Sequence, residues 1–476
     1  MRNAYVIKVK ELRPHNNADR LQILTCFGND VCVGLDIKID QLGIYFPCDL
    51  QLSEKFCEIN HLCRKKKDGT PDTGYMDPDK RNVTAIRLRG EKSDGLFLPL
   101  HALDYCFADG HAIAHLKEGD VIDGLVNGHE ICCKYIPRSN HHAHSGAGGN
   151  RTRKKKVATA PLFKEHADTE QLAYNLSAFK PGDEIEITLK MHGTSQRTGY
   201  LPVLKGHKRT LWDKITRKEG NSIYDWGYVS GTRRVVLENY EGGFYGDNEF
   251  REKHSKQFEG KLWKGETIYY EVVGFTTSGQ PIMGNANNKK LNDKAFIKQY
   301  GEETVFSYGC HPDGTNHLTV NNGEGDPFFD PRPQSDLYVY RMTMTNEDGE
   351  VVEYTPDFMR YRCEQMGIKC VPVFGKAIIS ADRLHFVAPD GYDHDYLIGD
   401  GTIGDMVMKV AEEFYDGPDP VGKTHVREGV VVRIVNKAKF AAYKHKNFSF
   451  KCLSGIAIAE AESKGEDIDE SIASEM

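Results

Sequence analysis

The run Ile185-Glu186-Ile187-Thr188-Leu189-Lys190-Met191-His192-Gly193-Thr194-Ser195 joins an alternating strand pattern to a lysine and then to a Gly-Thr-Ser turn. Such a turn gives close backbone approach at Gly193 and hydroxyl donors at Thr194 and Ser195, a combination suited to holding a phosphate. A strand-end lysine is ordinarily a solvated surface residue, so Lys190 gains weight only from its company. Ile268-Tyr269-Tyr270-Glu271-Val272-Val273 sets one carboxylate within an apolar strand. Glu428-Gly429-Val430-Val431-Val432 sets another at the start of a valine run. Tyr443-Lys444-His445-Lys446 follows, and period-two alternation points Lys444 and Lys446 to one face.

One nucleophilic lysine, two strand carboxylates and a paired cationic face suit nucleotidyl transfer. A deprotonated Lys190 amine would attack the α-phosphorus of a nucleoside triphosphate and form a phosphoramidate. Glu271 and Glu428 would hold a divalent cation, directly or through its waters. Lys444 and Lys446 would offset charge on the phosphates. Arg233 and Arg234, in the Gly231-Thr232-Arg233-Arg234 turn, fit a phosphate or RNA contact through guanidinium donors, or an ordinary solvated turn. Arg197 and Lys451 are two further candidates for phosphate or RNA contact, and Lys451 competes with Lys444 and Lys446. Tyr340 reads equally as a core aromatic or as a ring stacked on a base.

These strings together resemble the RNA ligase branch of the covalent nucleotidyltransferases. Lys190-Met191-His192-Gly193-Thr194 is similar to its first motif, KxHG(T/S), and Glu271 to its third-motif carboxylate. Leu337-Tyr338-Val339-Tyr340-Arg341 is similar to the aromatic strand that comes next. Glu428-Gly429 and Lys444-His445-Lys446 are similar to the fourth and fifth motifs, in the same order. Arg13-Pro14-His15-Asn16-Asn17-Ala18-Asp19-Arg20-Leu21 looks like the opening of an OB-type module. Glu165-His166, with Asp168, Thr169 and Gln171, looks like the lead-in of the Deinococcus-type RNA ligases. Two positions depart from the pattern: Leu189 stands where several RNA ligases have Glu, and Arg341 where related enzymes often have Asp.

The resemblance implies an ATP-dependent RNA ligase that uses Mg2+ or Mn2+. It implies a covalent lysyl-AMP at Lys190, with Lys190, His192, Gly193, Thr194, Glu271, Tyr340, Glu428, Lys444 and Lys446 around ATP. Its substrate would be RNA with a 3′-OH/5′-phosphate break, in a nicked duplex or broken strand and possibly on a DNA template. DNA ligases and mRNA capping guanylyltransferases are the alternatives. They usually have Asp where His192 stands, and they carry an OB domain after the fifth motif, whereas here 30 residues follow Lys446, the last part of them acidic. A second alternative is a non-catalytic OB-type RNA-binding protein, which needs no lysine–carboxylate–lysine set.

The elements that would position these residues fall into two domains. Residues 1–137 read as short strands (Tyr5–Val9, Leu21–Cys26, Val31–Leu35, Leu42–Phe46, Val83–Leu88, Gly95–Leu98) separated by Gly, Asn, Asp and Pro, which suggests a small OB-like β-barrel. Residues 138–160 read as a flexible linker ending in the basic cluster Arg151-Thr152-Arg153-Lys154-Lys155-Lys156. Residues 161–459 read as a mixed α/β nucleotidyltransferase domain of ATP-grasp-like ligase type. Its strands are Glu184–Leu189, Thr267–Val273, Leu337–Thr345 and Gly429–Val435, and its helices Thr355–Met366 and Ile403–Tyr415. Residues 460–476 read as a solvated acidic tail. The expected class is therefore α+β.

Composition agrees with a soluble, intracellular enzyme. Of 476 residues, 39% are hydrophobic and 28% charged, which excludes a disordered chain. The balance of 62 basic and 69 acidic residues, net −7, excludes a globally cationic DNA-coating protein but leaves local basic patches open. No apolar run is long enough for a membrane span and the start has no signal-peptide core, so the expectation is a cytoplasmic monomer with no membrane partner. The 12 cysteines form no CxxC pair, which argues for reduced thiols rather than a disulfide framework or a structural zinc.

Overall fold

The computed structural model describes residues 3–48, 50–66, 69–136, 159–166, 169–208, 221–237, 240, 248–279, 282, 297–298, 335–421 and 426–455. The expected linker, its basic cluster and the acidic tail lie outside them, apart from Thr159 and Ala160. The chain divides into two compact units: one runs to Pro137 and includes Phe448–Ile456, and the other takes the residues between.

The first unit is built from short antiparallel strands. A four-stranded sheet has the order Val121–Ile122, Ala4–Lys8, Leu42–Phe46, Leu96–Pro99. A three-stranded sheet joins Leu12–Pro14, Leu21–Cys26 and Asn29–Gly34, and two-stranded pairs complete the unit. Among the described residues these sheets do not join into one closed barrel, which departs from the expected OB-like barrel. Alternation still decides what is buried: Ala4, Val6, Ile44 and Phe46 enter one core cluster with Leu50, Phe56 and Leu103. A helix over residues 448–455 belongs to this unit rather than to the second, where the sequence placed it. Its Lys451 Nζ donates to Asp94 Oδ2 at 2.5 Å, and Cys452 Sγ donates to the Ala85 carbonyl.

Among the described residues the second unit has two sheets and the helices Glu249–Lys256, Pro356–Met366 and Ile403–Tyr415. The seven-stranded sheet has the order Glu170–Gln171, Ala441–Lys446, Gly429–Ile434, Glu184–Leu189, Val373–Ile379, Arg383–Val387, Asp393–Leu397. The six-stranded sheet has the order Val236–Leu237, Asn221–Thr232, Thr194–Lys208, Glu266–Gly274, Ser335–Thr345, Val351–Glu353. The long hairpin Thr194–Lys208 with Asn221–Thr232 carries no strong apolar alternation and is absent from the sequence reading. Helix Pro356–Met366 starts where the Thr355 side chain accepts from Phe358 N with Pro356 in the first turn, and ends at left-handed Gly367, φ 68°. Helix Ile403–Tyr415 opens with a Thr402/Asp405 capping box and buries Met406, Val407, Val410 and Ala411. Its Phe414 stacks on Phe374 and Phe386 of the seven-stranded sheet. No helix among the described residues is long and apolar enough to cross a membrane.

Residues 190–193 form the link between the two sheets, leaving the strand Glu184–Leu189 and entering Thr194–Lys208. Beneath that link a small apolar cluster takes Leu189 and Met191 together with Val273 and Tyr338 of the other sheet and Val371. The six-stranded sheet is tied to helix Pro356–Met366 by a buried ion pair: Arg362 Nη2 and Nε donate to Glu266 Oε2 and Oε1 at 2.8 and 2.9 Å, and Tyr354 Oη donates to the same carboxylate. Removing one member of such a pair strands a buried charge. Glu266→Ala is therefore expected to destabilise the protein by about 3–5 kcal/mol in denaturant unfolding, whereas breaking an exposed pair such as Lys256–Glu252 should leave the unfolding midpoint nearly unchanged.

Candidate active site

Three adjacent strands of the seven-stranded sheet carry the charged half of the site. Leu189 pairs with Val430, and Lys190 N donates to the Gly429 carbonyl at 3.0 Å, which sets Lys190 beside Glu428. Gly429 pairs in turn with Lys446, and Val431 with Lys444. Gly429 has φ +143°, and a β-carbon there would lie 2.1 Å from the His445 carbonyl oxygen, so only glycine lets the third strand close on Glu428.

The Glu428 side chain is 3% exposed, and its Oε1 receives both Lys190 Nζ at 2.8 Å and Lys446 Nζ at 3.2 Å. Oε2 stands 3.6 Å from His192 Nδ1 and has no closer hydrogen-bond partner among the described residues. Burial alone would raise the pKa of this carboxyl. The charges of Lys190 and Lys446, with His192, outweigh that and hold it well below its ordinary value. Lys444 makes no ion pair or side-chain hydrogen bond among the described residues. Burial, then Lys446, Lys190 and Arg233, bring its amine down to about 7, against the opposing pull of Glu428.

The other half comes from the six-stranded sheet. Ser195 pairs with Glu271, and Glu271 with Tyr338. The register slips between Tyr269 and Tyr270, which oppose Arg341 and Val339, so Tyr340 is the extra residue of a β-bulge. Its hydroxyl shares a 2.9 Å hydrogen bond with Ser195 Oγ. Gly193 lies against this half: a β-carbon would meet the Val272 carbonyl oxygen at 2.4 Å and Glu271 Cγ at 2.9 Å. Thus Lys190, His192, Glu428, Lys444 and Lys446 converge on one side, and Gly193 brings Glu271, Ser195 and Tyr340 up to the same link.

Other expected residues take different places. Arg233 is half-buried and its charge bears on Lys444 and Tyr340, whereas Arg234 is exposed. Thr194 is buried, and its hydroxyl accepts from Arg251 Nη2 at 2.6 Å, so it braces the turn. Arg197, expected as a phosphate or RNA contact, is 1% exposed. Its guanidinium donates to the carbonyls of Thr232, Phe163 and Lys164 and lies 4.2 Å over the Phe163 ring. Those contacts make it a structural tie. Lys451, expected near the paired lysines, is bound to Asp94 in the first unit instead.

Two groups escaped the sequence reading as site supports. Arg251, on helix Glu249–Lys256, is wholly buried and holds the Thr194–Gln196 stretch from behind through Thr194 Oγ1, the Ser195 carbonyl and Gln196. His166 lies against the Tyr340, Tyr269 and Phe440 rings at 5.1–5.7 Å, its Nδ1 is 3.1 Å from Arg341 Nη1, and its N–H donates to the Arg233 carbonyl. Burial and then the Arg341 charge push its pKa well down, so the ring is neutral. Arg341 itself pairs with Glu353 and lies over the rings of Tyr269 and Phe440. The departure at Arg341 thus builds a wall behind Tyr340.

For a divalent cation, no group of three or more His, Cys, Asp or Glu side chains converges among the described residues. The Glu428 Oε2 oxygen, without a hydrogen bond among the described residues, and the Glu271 carboxylate on the facing sheet are the oxygen donors that suit a hard cation, with the rest supplied by water and phosphate.

The fold of this chain is similar to that of a solved RNA ligase. The RNA ligase of Naegleria gruberi solved with PPi aligns over 94% of this chain and 97% of its own, with TM-score 0.50 and 14% identity. A variant of the same ligase with ATP and Mn aligns over 94% of this chain and 98% of its own, with the same TM-score and identity. No family model and no curated protein matches the chain.

The depressed amine gives a pH signature. Below about 7 Lys444 is protonated folded and unfolded. Between about 7 and 10.5 only the unfolded chain keeps the proton, so this group makes stability rise with pH across that window and withdraws the gain as pH falls through 7. Lys444→Met removes the contribution. Guanidinium unfolding at several pH values should show a shallower rise above pH 7 in the variant than in wild type, and an identical slope would contradict the burial of this amine.

Proposed function

We propose that this protein is an ATP-dependent RNA ligase acting through a covalent lysyl-AMP at Lys190. The observation that carries the reading is the shared Glu428 Oε1, which holds Lys190 Nζ and Lys446 Nζ 2.8 and 3.2 Å away on adjacent strands, beside the Gly193–Ser195 turn. A surface lysine needs no buried carboxylate, second lysine or glycine turn. The fold shared with the Naegleria ligase supports the same reading, and ATP, PPi and Mn are named with that protein's structures.

In the first step Lys190, once it has given up the proton that pairs it with Glu428, attacks the α-phosphorus of ATP as the free amine. The N–P bond forms, the α–β phosphoanhydride breaks, and pyrophosphate leaves. Glu428 keeps the amine at the end of its strand before ATP arrives, while Lys446 and Lys444 face the phosphates and Arg233 adds charge from the turn. Lys444 takes a proton readily when an anion enters, because its amine rests near 7. Tyr340, held by Ser195 and walled by His166, offers a ring for the base. A Mg2+ or Mn2+ ion held near Glu271 and Glu428 would supply Lewis-acid charge stabilisation at the phosphates. AMP then passes to an RNA 5′-phosphate, and a 3′-OH displaces it. Nicked or broken RNA as the substrate, and the first unit as an OB-like module gripping it, extend the proposal. Burial of residues 448–455 in that first unit means that removing residues 1–137 would uncover Phe450, Cys452 and Leu453.

Incubation with α-labelled ATP should tag the protein through an acid-labile, base-stable bond, and α-labelled GTP should not; preferential GTP labelling would point to a capping guanylyltransferase. Lys190→Arg should lose the label entirely, since a guanidinium stays protonated. Glu428→Gln should slow labelling by about 10²-fold, because it releases both lysines from position. Normal labelling of either variant contradicts the assignment.

A further inference from the structure

A thiol pair outside the site lies on the segment that joins its two halves. Cys363 is in the last turn of helix Pro356–Met366 and 1% exposed, and Cys370 is half-buried against the same core cluster. The chain reverses between them at left-handed Gly367, where Ile368 N donates to the Cys363 carbonyl at 2.9 Å. That turn sets Cys370 against the core cluster that holds Cys363, and the two thiols bear on each other's titration. The segment carrying Cys370 is hydrogen-bonded on both sides. Val339 N donates to the Lys369 carbonyl and Val371 N to the Val339 carbonyl, while Leu189 N donates to the Pro372 carbonyl, each at 2.9 Å. Cys370 is therefore one short segment away from both Tyr340 and Lys190.

The two sulfurs differ in kind. Hydrogen bonding from Cys363, opposed by burial and helped by the Arg360 charge, holds the Cys370 thiol below its ordinary value. Cys363, the donor, is pushed up by that bond and by burial. The other hydrogen-bonded pair, Cys57 and Cys63, has both thiols raised, chiefly by burial. A thiolate is the reactive form, and among the described residues the first pair sets a half-buried, acidified sulfur beside a resolving partner.

We propose that Cys363 and Cys370 are a peroxide-oxidisable dithiol whose closure to a disulfide disturbs the segment between Tyr340 and Lys190 and slows the reaction there. The Cys370 thiolate attacks one oxygen of hydrogen peroxide, the O–O bond breaks, and with one proton the products are Cys370 sulfenic acid and water. The Cys363 sulfur then attacks the Cys370 sulfur. The S–S bond forms, the S–O bond breaks, and the thiol proton leaves with the hydroxyl as a second water. Closure fixes the two β-carbons about 3.5–4.5 Å apart and so ties the Cys370 segment to the helix end. Reduction by a dithiol reverses it.

The bridge itself is independent of the proposed ligase activity; only its effect on rate rests on that reading. The test is graded peroxide treatment of the full chain, followed by non-reducing peptide mapping and ATP labelling of the same sample. Mapping should find Cys363 linked to Cys370 at peroxide doses that leave Cys57 and Cys63 reduced. Labelling should fall severalfold and return after dithiothreitol. Cys363→Ala and Cys370→Ala, each confirmed folded by its melting curve, should keep their labelling under the same doses. Absence of the linked peptide, or linkage of Cys57 to Cys63 first, overturns the dithiol assignment. A linked peptide with unchanged labelling overturns the coupling to the site. If untreated wild type takes no label, the ligase reading fails and the mapping still decides whether the dithiol exists.

Discussion

The carboxylate of Glu428 is buried yet charged, and that condition organises everything around it. A buried carboxylate left alone would protonate rather than stay ionised. It stays ionised because Lys190 and Lys446 reach one of its oxygens and His192 stands near the other. The reverse also holds, because each lysine is kept in place by a charge it cannot leave cheaply. Lys444 receives no such partner among the described residues, and its amine falls to about 7. The cluster therefore holds one cation in reserve, able to take up a proton when a phosphate arrives.

This arrangement exists because of strand order. Ala441–Lys446, Gly429–Ile434 and Glu184–Leu189 lie side by side although far apart in sequence, and Gly429 is the one position where the backbone must give way for them to approach. The chain then leaves the sheet at Lys190 and enters the second sheet four residues later, so one turn belongs to both. Gly193 packs on the Glu271 strand without a side chain, and a bulge turns Tyr340 toward Ser195. Arg251 and the His166–Arg341 wall hold that half from behind. The same link is flanked by the Cys370 segment, which is why a change at the end of helix Pro356–Met366 can reach it.

Much of this was legible in the residues, for physical reasons. Strand Glu184–Leu189 and helix Ile403–Tyr415 have in the structure the ends that the sequence suggests, because apolar alternation and helical periodicity are local properties. Lys190, Glu271, Glu428, Lys444 and Lys446 stood out because charged residues within apolar strands need a reason to be there. Arg197 misled for the same cause: its charge suggested a phosphate, but its place in the register points it inward to three carbonyls. Lys451 misled because proximity in sequence to Lys446 says nothing about the unit a helix joins. The bulge at Tyr340 and the bracing by Arg251 depend on pairing between distant strands, which no window of sequence contains.

The central claim is that the lysine held by Glu428, and no other, is the group that becomes covalently modified. Wild-type protein incubated with α-labelled ATP and a divalent cation, then digested at alkaline pH and mapped by mass spectrometry, tests it directly. The account predicts a single AMP adduct, on the peptide bearing Lys190. An adduct on Lys444, Lys446 or any other residue, or no adduct under any divalent cation tried, would contradict it.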